Sequence, residues 1–391
     1  MTGSSAITSI INGVRTTYGY DGGGRAISQT TKRNNGSGTV VASYNYTWDE
    51  YGNHTQETFT EPYTEYLSTQ NSATNYSYNN ANRLTAAGNL TFGYDNNGNT
   101  TSRTGRTYSY DTKDNLTSAS GDFSASYTYD GLGNRRSATR NGVTKQYVLN
   151  LLGSMSSVLM ETDGSGNALY YYVYGANGLV SRIDANNNTH YYVYDYRGST
   201  VAMTDATNAA TVTHKYQYDE FGKVLQSEET DVNLFRYVGQ LGVMYEDDAL
   251  TFMRARYYDP EIGRFLSEDP IWSTNLYPYA DNNPIVYLDP KGEKPKCQKY
   301  YEKTNKWLGR LQTFGKNERR LEKLNEFAKK YSMNCLSGRD SNGNLQIAPL
   351  MSVGSKNGWG GGGKNEPWMN KYSTYELEEL QKGNYKNIQI K

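Results

Sequence analysis

The side chains most able to do chemistry without help lie at the end of the chain. From Glu293 to Lys391 there are 19 Lys plus Arg against 10 Asp plus Glu, a charge of +9, and no histidine. The three histidines, His54, His190 and His214, all come earlier. Without histidine, this stretch cannot be a metal-dependent HNH nuclease, a histidine-based ribonuclease or a zinc deaminase with a His ligand. Cys297 and Cys335 are the only cysteines. A cysteine nucleophile normally works with a histidine partner, and this spacing gives neither a CxxC pair nor a metal site. Two reduced thiols and one bridge both remain open. The composition suits nucleic acid better: positive charge neutralises phosphate, while Trp307, Trp359 and Trp368 offer rings for base stacking. RNA can be cleaved without histidine when Lys, Arg, Tyr or Glu moves the proton and holds the charged phosphate. On charge alone, the candidate catalytic residues here are Arg319, Arg320, Arg339, Lys356 and Lys364. A solvated helix face accounts for part of that charge, since Lys316 to Lys330 mixes Glu with Lys. The Gly360–Gly363 run is not a phosphate loop, because Lys364 is followed by Asn365 rather than Ser or Thr. No cofactor and no metal are expected.

The elements that would hold these residues are mixed. Trp307, Leu308, Leu311 and Phe314 fall on one helical face, as do Leu321, Leu324, Ala328 and Tyr331. Glycines from Gly338 to Gly343 break that pattern. Leu345 to Val353 and Tyr385 to Ile390 are strand-like, with a short helix near Tyr375 to Lys382. This predicts an α+β domain over 293–391, within the usual domain size.

The preceding residues read differently. They carry −9, so the net charge of zero conceals an acidic body and a basic tail with different partners. The chain has 38 Tyr and 39 Gly but only 9 Phe. Tyrosine buries a large ring while its hydroxyl finds a polar partner, so such a body packs with few aliphatic residues. Tyr, Thr and Val favour strands. A unit of Tyr-x-Tyr-Asp followed by Gly or Asn recurs: Tyr18 to Asp21, Tyr44 to Asp49, Tyr76 to Asn79, Phe92 to Asn99, Tyr108 to Asp111, Tyr127 to Asn134, Tyr172 to Gly175, Tyr192 to Asp195 and Tyr216 to Gly222. Period two puts both rings on one face of a strand. Asp with Gly or Asn supplies the turn. Each unit is therefore a hairpin, and single hairpins must stack into a continuous sheet to be stable. No stretch approaches the 18 to 20 apolar residues of a membrane span. The first residues have no basic segment leading into an apolar one, so no signal peptide is expected.

On these units the body resembles the YD-repeat, or Rhs, family over about three quarters of the chain. The resemblance implies a long β-strip that spirals into a hollow shell. These strands look too few to close one, which points to the distal part of a longer shell. The stretch from Phe235 to Gly292 is more specific. It runs through Arg256-Tyr-Tyr-Asp259-Pro, Gly263-Arg-Phe-Leu-Ser-Glu-Asp269-Pro, Tyr277-Pro-Tyr279, Asn283-Pro284 and Asp289-Pro-Lys-Gly292, and looks like the Rhs-associated core. In that family the core implies an intramolecular aspartyl protease that cuts after the final Asp-Pro-x-Gly. Such chemistry needs two carboxylates sharing a proton, one to activate water and one to protonate the substrate. Carried over by position, Asp259 and Asp269 would be the pair, Arg256 would orient one of them, and Asp289 would lie at the cut. This chain departs from the family pattern with Glu293 in place of Leu and with Ile271-Trp272 after Asp269-Pro270. Asp-Pro turns alone would equally make these residues a structural cap.

The reading is a mainly β protein: a YD-repeat shell segment over 1–234, a core or plug over 235–292, and a basic α+β effector over 293–391. The resemblance implies a polymorphic toxin of interbacterial competition, secreted or displayed at the cell surface, whose effector reaches a target-cell cytoplasm. The implied partners are a cognate immunity protein, RNA at the basic tail, and upstream repeats or a secretion-system component. The alternative is a wall-associated YD-repeat protein with a non-catalytic binding tail.

Overall fold

The computed structural model describes residues 8–293 apart from 12, 23–24, 34–35, 37, 50–53, 64–66, 68–73, 154, 208, 247–249, 272–274 and 286. Among these residues the fold is almost wholly antiparallel β. One sheet of 16 strands runs from Tyr76–Tyr78 to Val224–Glu229, each strand bonded to its sequence neighbours. It stays open, as the strand count led one to expect. A five-stranded sheet from Thr8–Ile11 to His54–Thr60 precedes it, and a four-stranded sheet from Met244–Tyr245 to Arg264–Phe265 follows.

The repeating unit explains the strip. At Asp130 the turn is closed by backbone bonds to Asn134 and Gly133. The carboxylate accepts from the Leu132 and Asn134 amides at 2.9 Å, and the Asn134 side chain donates to it at 3.0 Å. The same arrangement recurs at Asp95 with Asn99 and at Asp111 with Asn115. It also recurs at Asp163 with Asn167 and Asp184 with Asn188, on turns that no Tyr-x-Tyr pair precedes. The Asp-x-x-x-Asn spacing was the available sign of those two turns.

Ring stacking follows the period-two reading. Tyr192 and Tyr194 stack with centroids 5.8 Å apart, and Tyr216 and Tyr218 at 6.3 Å. One feature was not legible: the strand register shifts at the second tyrosine of the unit, at Tyr20, Tyr78, Tyr94, Tyr110, Tyr129, Tyr174, Tyr194 and Tyr218. A bulge bends its strand and increases the twist, so a bulge in every unit curls the strip. It also leaves the second ring reaching back along the sheet. Tyr94 donates to the Leu84 carbonyl at 2.9 Å, Tyr129 to Leu116 at 2.7 Å, Tyr194 to Leu179 at 2.9 Å and Tyr218 to Thr200 at 2.8 Å. Replacing Tyr129 by Phe should therefore cost about 0.5–1.5 kcal/mol in denaturant unfolding. The same change at half-exposed Tyr171 should be near neutral, and equal effects at both sites would rule out the back-bond as a source of stability.

The core segment sits on the tyrosine-bearing face. Phe235, Phe252, Tyr257 and Leu266 are buried with Tyr127, Tyr147, Tyr172 and Tyr192 of the long sheet. On the opposite face, Val193 and Ala202 pack with Val41, Ala42 and Tyr44 of the five-stranded sheet. Arginines of the shell grip acidic groups of the core: Arg83 holds Glu268 at 3.1 Å, Arg103 holds Asp259 at 2.6 Å, and Arg135 and Arg140 both hold Glu246.

Candidate self-cleavage site

The site forms where the end of the core folds back on its own hairpin. Strands Thr251–Met253 and Arg256–Asp259 pair antiparallel, with Met253 opposite Arg256, leaving a two-residue turn. The segment Asp289-Pro-Lys-Gly292 lies against that turn. The Ala255 amide donates to the Lys291 carbonyl at 3.1 Å, and the Gly292 amide closes a turn on the Asp289 carbonyl at 3.1 Å. Gly292 has φ +62°, and a Cβ there would collide with the Met253 carbonyl oxygen. Only glycine suits both the conformation and the approach.

Arg256 is the hub. Its Nη2 lies 2.9 Å from Asp269 Oδ2 and 3.3 Å from Asp289 Oδ2, with all three side chains at 5% exposure or less. Its Nη1 donates to the Leu276 carbonyl at 2.8 Å, and its Nε donates to the Gly292 carbonyl at 2.5 Å. The guanidinium lies 3.6 Å from the centre of the Phe265 ring, which shields it from water. The Glu293 amide donates to Asp289 Oδ1 at 3.0 Å. The peptide joining Gly292 to Glu293 is thus held at both ends, its carbonyl on Arg256 and its nitrogen on Asp289. Burial, partly opposed by Arg256 and the Glu293 amide and reinforced by the Asp269 and Glu293 carboxylates, pushes the Asp289 carboxyl up to about 7. Burial also lowers the Arg256 guanidinium from its ordinary value, against the two carboxylates. Beyond this peptide, Lys291 and Glu293 line a cavity of about 350 Å³ with Gly133, Met155 and Phe252.

The expected pairing of Asp259 with Asp269 is not the one that shares the arginine. Asp259 is buried on Arg103, whose other amino group meets Glu261, and it accepts from the Glu261 amide at 3.0 Å. It clamps the core to shell strand Thr100–Arg103. The carboxylate that joins Asp269 is Asp289. Three Asp-Pro pairs occur in the core, and no spacing rule says which two meet. Arg256, expected to orient one of Asp259 and Asp269, bonds Asp269. Arg319, Arg320, Arg339, Lys356 and Lys364, with both cysteines, lie outside the described residues. Among the described residues there is no group of three or more His, Cys, Asp or Glu that could hold a metal ion. No helix among them is long and apolar enough to cross a membrane.

A family model described as teneurin YD-shell matches residues 4–286. The chain belongs to the teneurin YD-shell family. YD-shell relatives include tRNA nuclease WapA of Bacillus subtilis strain 168, 35% identical over 179 residues, which are 43% of this chain and 7% of that protein. The tRNA(Glu)-specific nuclease WapA of Bacillus subtilis subsp. natto is 34% identical over 179 residues, again 43% of this chain and 7% of that protein. The chain thus spans a small part of the length of these relatives. Among solved structures, a Tc holotoxin pore of Photorhabdus luminescens aligns with a TM-score of 0.52 at 20% identity, over 72% of this chain and 18% of that one. At that identity the likeness concerns the YD-shell fold alone.

Proposed function

We propose that this YD-shell chain carries a self-cleaving core that frees its basic C-terminal segment, residues 293–391, as the effector of a polymorphic toxin. The observation that carries the reading is the hold of Arg256 and Asp289 on the Gly292–Glu293 peptide, with Asp269 on the same guanidinium. Asp269 takes a proton from water as the water oxygen bonds to the Gly292 carbonyl carbon. The charge that develops on the carbonyl oxygen is met by the Arg256 Nε–H. Asp289, protonated, gives its proton to the Glu293 nitrogen as the C–N bond breaks. The products are the Gly292 carboxylate, beside Arg256, and a new amino terminus at Glu293.

The effector's target is inferred from charge and kinship. A histidine-free stretch of charge +9 with three tryptophans suits RNA, and the WapA relatives are named as tRNA nucleases. In this reading the freed segment is a ribonuclease used between bacteria, delivered into a target cell and neutralised in the producer by an immunity protein. The shell is secreted or surface-bound and joins further repeats or a secretion component. The test is to incubate the purified full chain with total RNA and follow protein mass and RNA size together. A fragment beginning at Glu293 with degraded RNA is expected. An uncut chain would defeat the self-cleaving core, and a clean cut with intact RNA would defeat the ribonuclease.

A further inference from the structure

Arg254 lies two residues before Arg256, yet its side chain takes no part in the chemistry above. It sits in the hairpin turn with φ +57°, a left-handed conformation that is strained for a residue with a long side chain. Its guanidinium joins three separate segments through their backbone carbonyls. Nη1 donates to Pro290 at 2.5 Å, in the segment to be cut. Nε and Nη2 donate to Ser156 at 3.1 and 2.8 Å, on the shell turn that follows strand Val143–Asn150. Nη2 also donates to Leu241 at 2.7 Å, in the short 3-10 turn Gly239–Leu241 of the core. Gly242 makes room for it, since a Cβ at that position would meet Nη2 at 2.8 Å.

Among the described residues no carboxylate pairs with Arg254, so carbonyl dipoles alone compensate a partly buried cation. Such a site costs desolvation without the return of an ion pair. A neutral residue would serve packing better, which leaves geometry as the reason for the charge. The guanidinium is a planar fork of fixed donors, so its contacts with Ser156 and Leu241 dictate where Pro290 must lie. Pro290 is two residues before Gly292, and Ala255 next to Arg254 holds Lys291. We infer that Arg254 is a positioning residue that fixes the register of self-cleavage, tying the segment to be cut to the β-shell. The inference rests on the self-cleaving reading. A one-residue slip moves the backbone by about 3.3 Å, which would take the Gly292 carbonyl off Arg256 and the Glu293 nitrogen off Asp289.

The experiment uses the full chain carrying Arg254→Ala or Arg254→Lys, with the rate of cutting, the amino terminus of the freed fragment and the melting temperature measured together. Arg254→Ala should cut about 100-fold more slowly, the scale expected for a displacement of an ångström or more. Its freed fragments should begin at several neighbouring positions instead of Glu293 alone. Arg254→Lys, which keeps one donor near Pro290, should recover a single terminus with only part of the rate. A merely structural role would lower the yield and the melting temperature while leaving the terminus unchanged. That result would overturn the inference, as would an Arg254→Ala chain cut like wild type. Wild-type chain that is not cut, or is cut equally well with Asp269→Asn, would instead overturn the self-cleaving reading and this inference with it.

Discussion

Asp269→Asn leaves the chain uncut. Asparagine keeps the shape of the side chain and its reach toward Arg256 but cannot take a proton from water, so the rate should fall at least about 1,000-fold, within the range for general acid–base groups. Asp289→Asn should fall as far, because the leaving nitrogen then has no acid. Asp259→Asn separates this arrangement from the one suggested by position alone. Asp259 is engaged with Arg103 on the shell, so its loss should lower the melting temperature while cutting continues. Cutting by Asp269→Asn at the wild-type rate, or its abolition by Asp259→Asn in a folded chain, would sink the assignment.

The pH dependence follows from Asp289. It must be protonated to act as the acid, and its carboxyl is raised from an ordinary 3.8 to about 7, so cutting should decline as pH rises through about 7. The same shift has a sign for stability. A folded-state value above the unfolded one favours folding below the unfolded value, and that advantage is lost as pH rises through the folded one. The Asp289→Asn chain should therefore have a flatter stability profile between about pH 4 and 7. Denaturant unfolding across that window, on chain kept whole by Asp269→Asn, measures it. A profile that stays steep in the double variant would show that another group titrates there.

The largest loss of stability is expected from Glu246→Gln. Glu246 is fully buried between Arg135, itself 1% exposed, and Arg140. Arg135 also lies among the rings of Tyr127, Tyr147, Phe252 and Tyr257, closest to Phe252 at 4.2 Å. Its guanidinium therefore depends on one carboxylate and an aromatic cage, with water excluded. Removing that carboxylate leaves the buried Arg135 guanidinium in the core without its counter-charge, at a cost of about 3–5 kcal/mol. For a body of this size the melting temperature should drop on the order of 10 °C. Replacing Arg135, Arg140 and Glu246 together by apolar residues of similar volume should recover much of it, since the unpaired charge is what costs. Glu246→Gln that melts with wild type would mean the pair contributes nothing to holding the core on the shell.

Much of the strip was legible because its causes are local. Asp130 with Gly133 and Asn134 makes its turn from side chain to nearest backbone, and Tyr127 and Tyr129 share a face through strand geometry alone. Neither depends on what the sheet packs against. The register shift at each second tyrosine was hidden, since a bulge depends on how two strands pair and not on the residues of one. The site divides in the same way. That Arg256 would hold one of Asp259 and Asp269 could be expected from the core motif, and Gly292 from its place after Asp289-Pro-Lys.

What the sequence determined by itself was the repeat, its hairpins, the boundary in charge near Glu293 and the set of acidic residues from which a site could be built. Only the tertiary structure decided that Asp289 joins Asp269 while Asp259 is taken by Arg103, a shell residue 156 positions away in the chain. It likewise decided that Arg254 ties Ser156 to Pro290, and that Glu246 meets two arginines of another sheet. Charges pair according to distance and burial, both set by how the core folds onto the sheet. Chain order constrains neither.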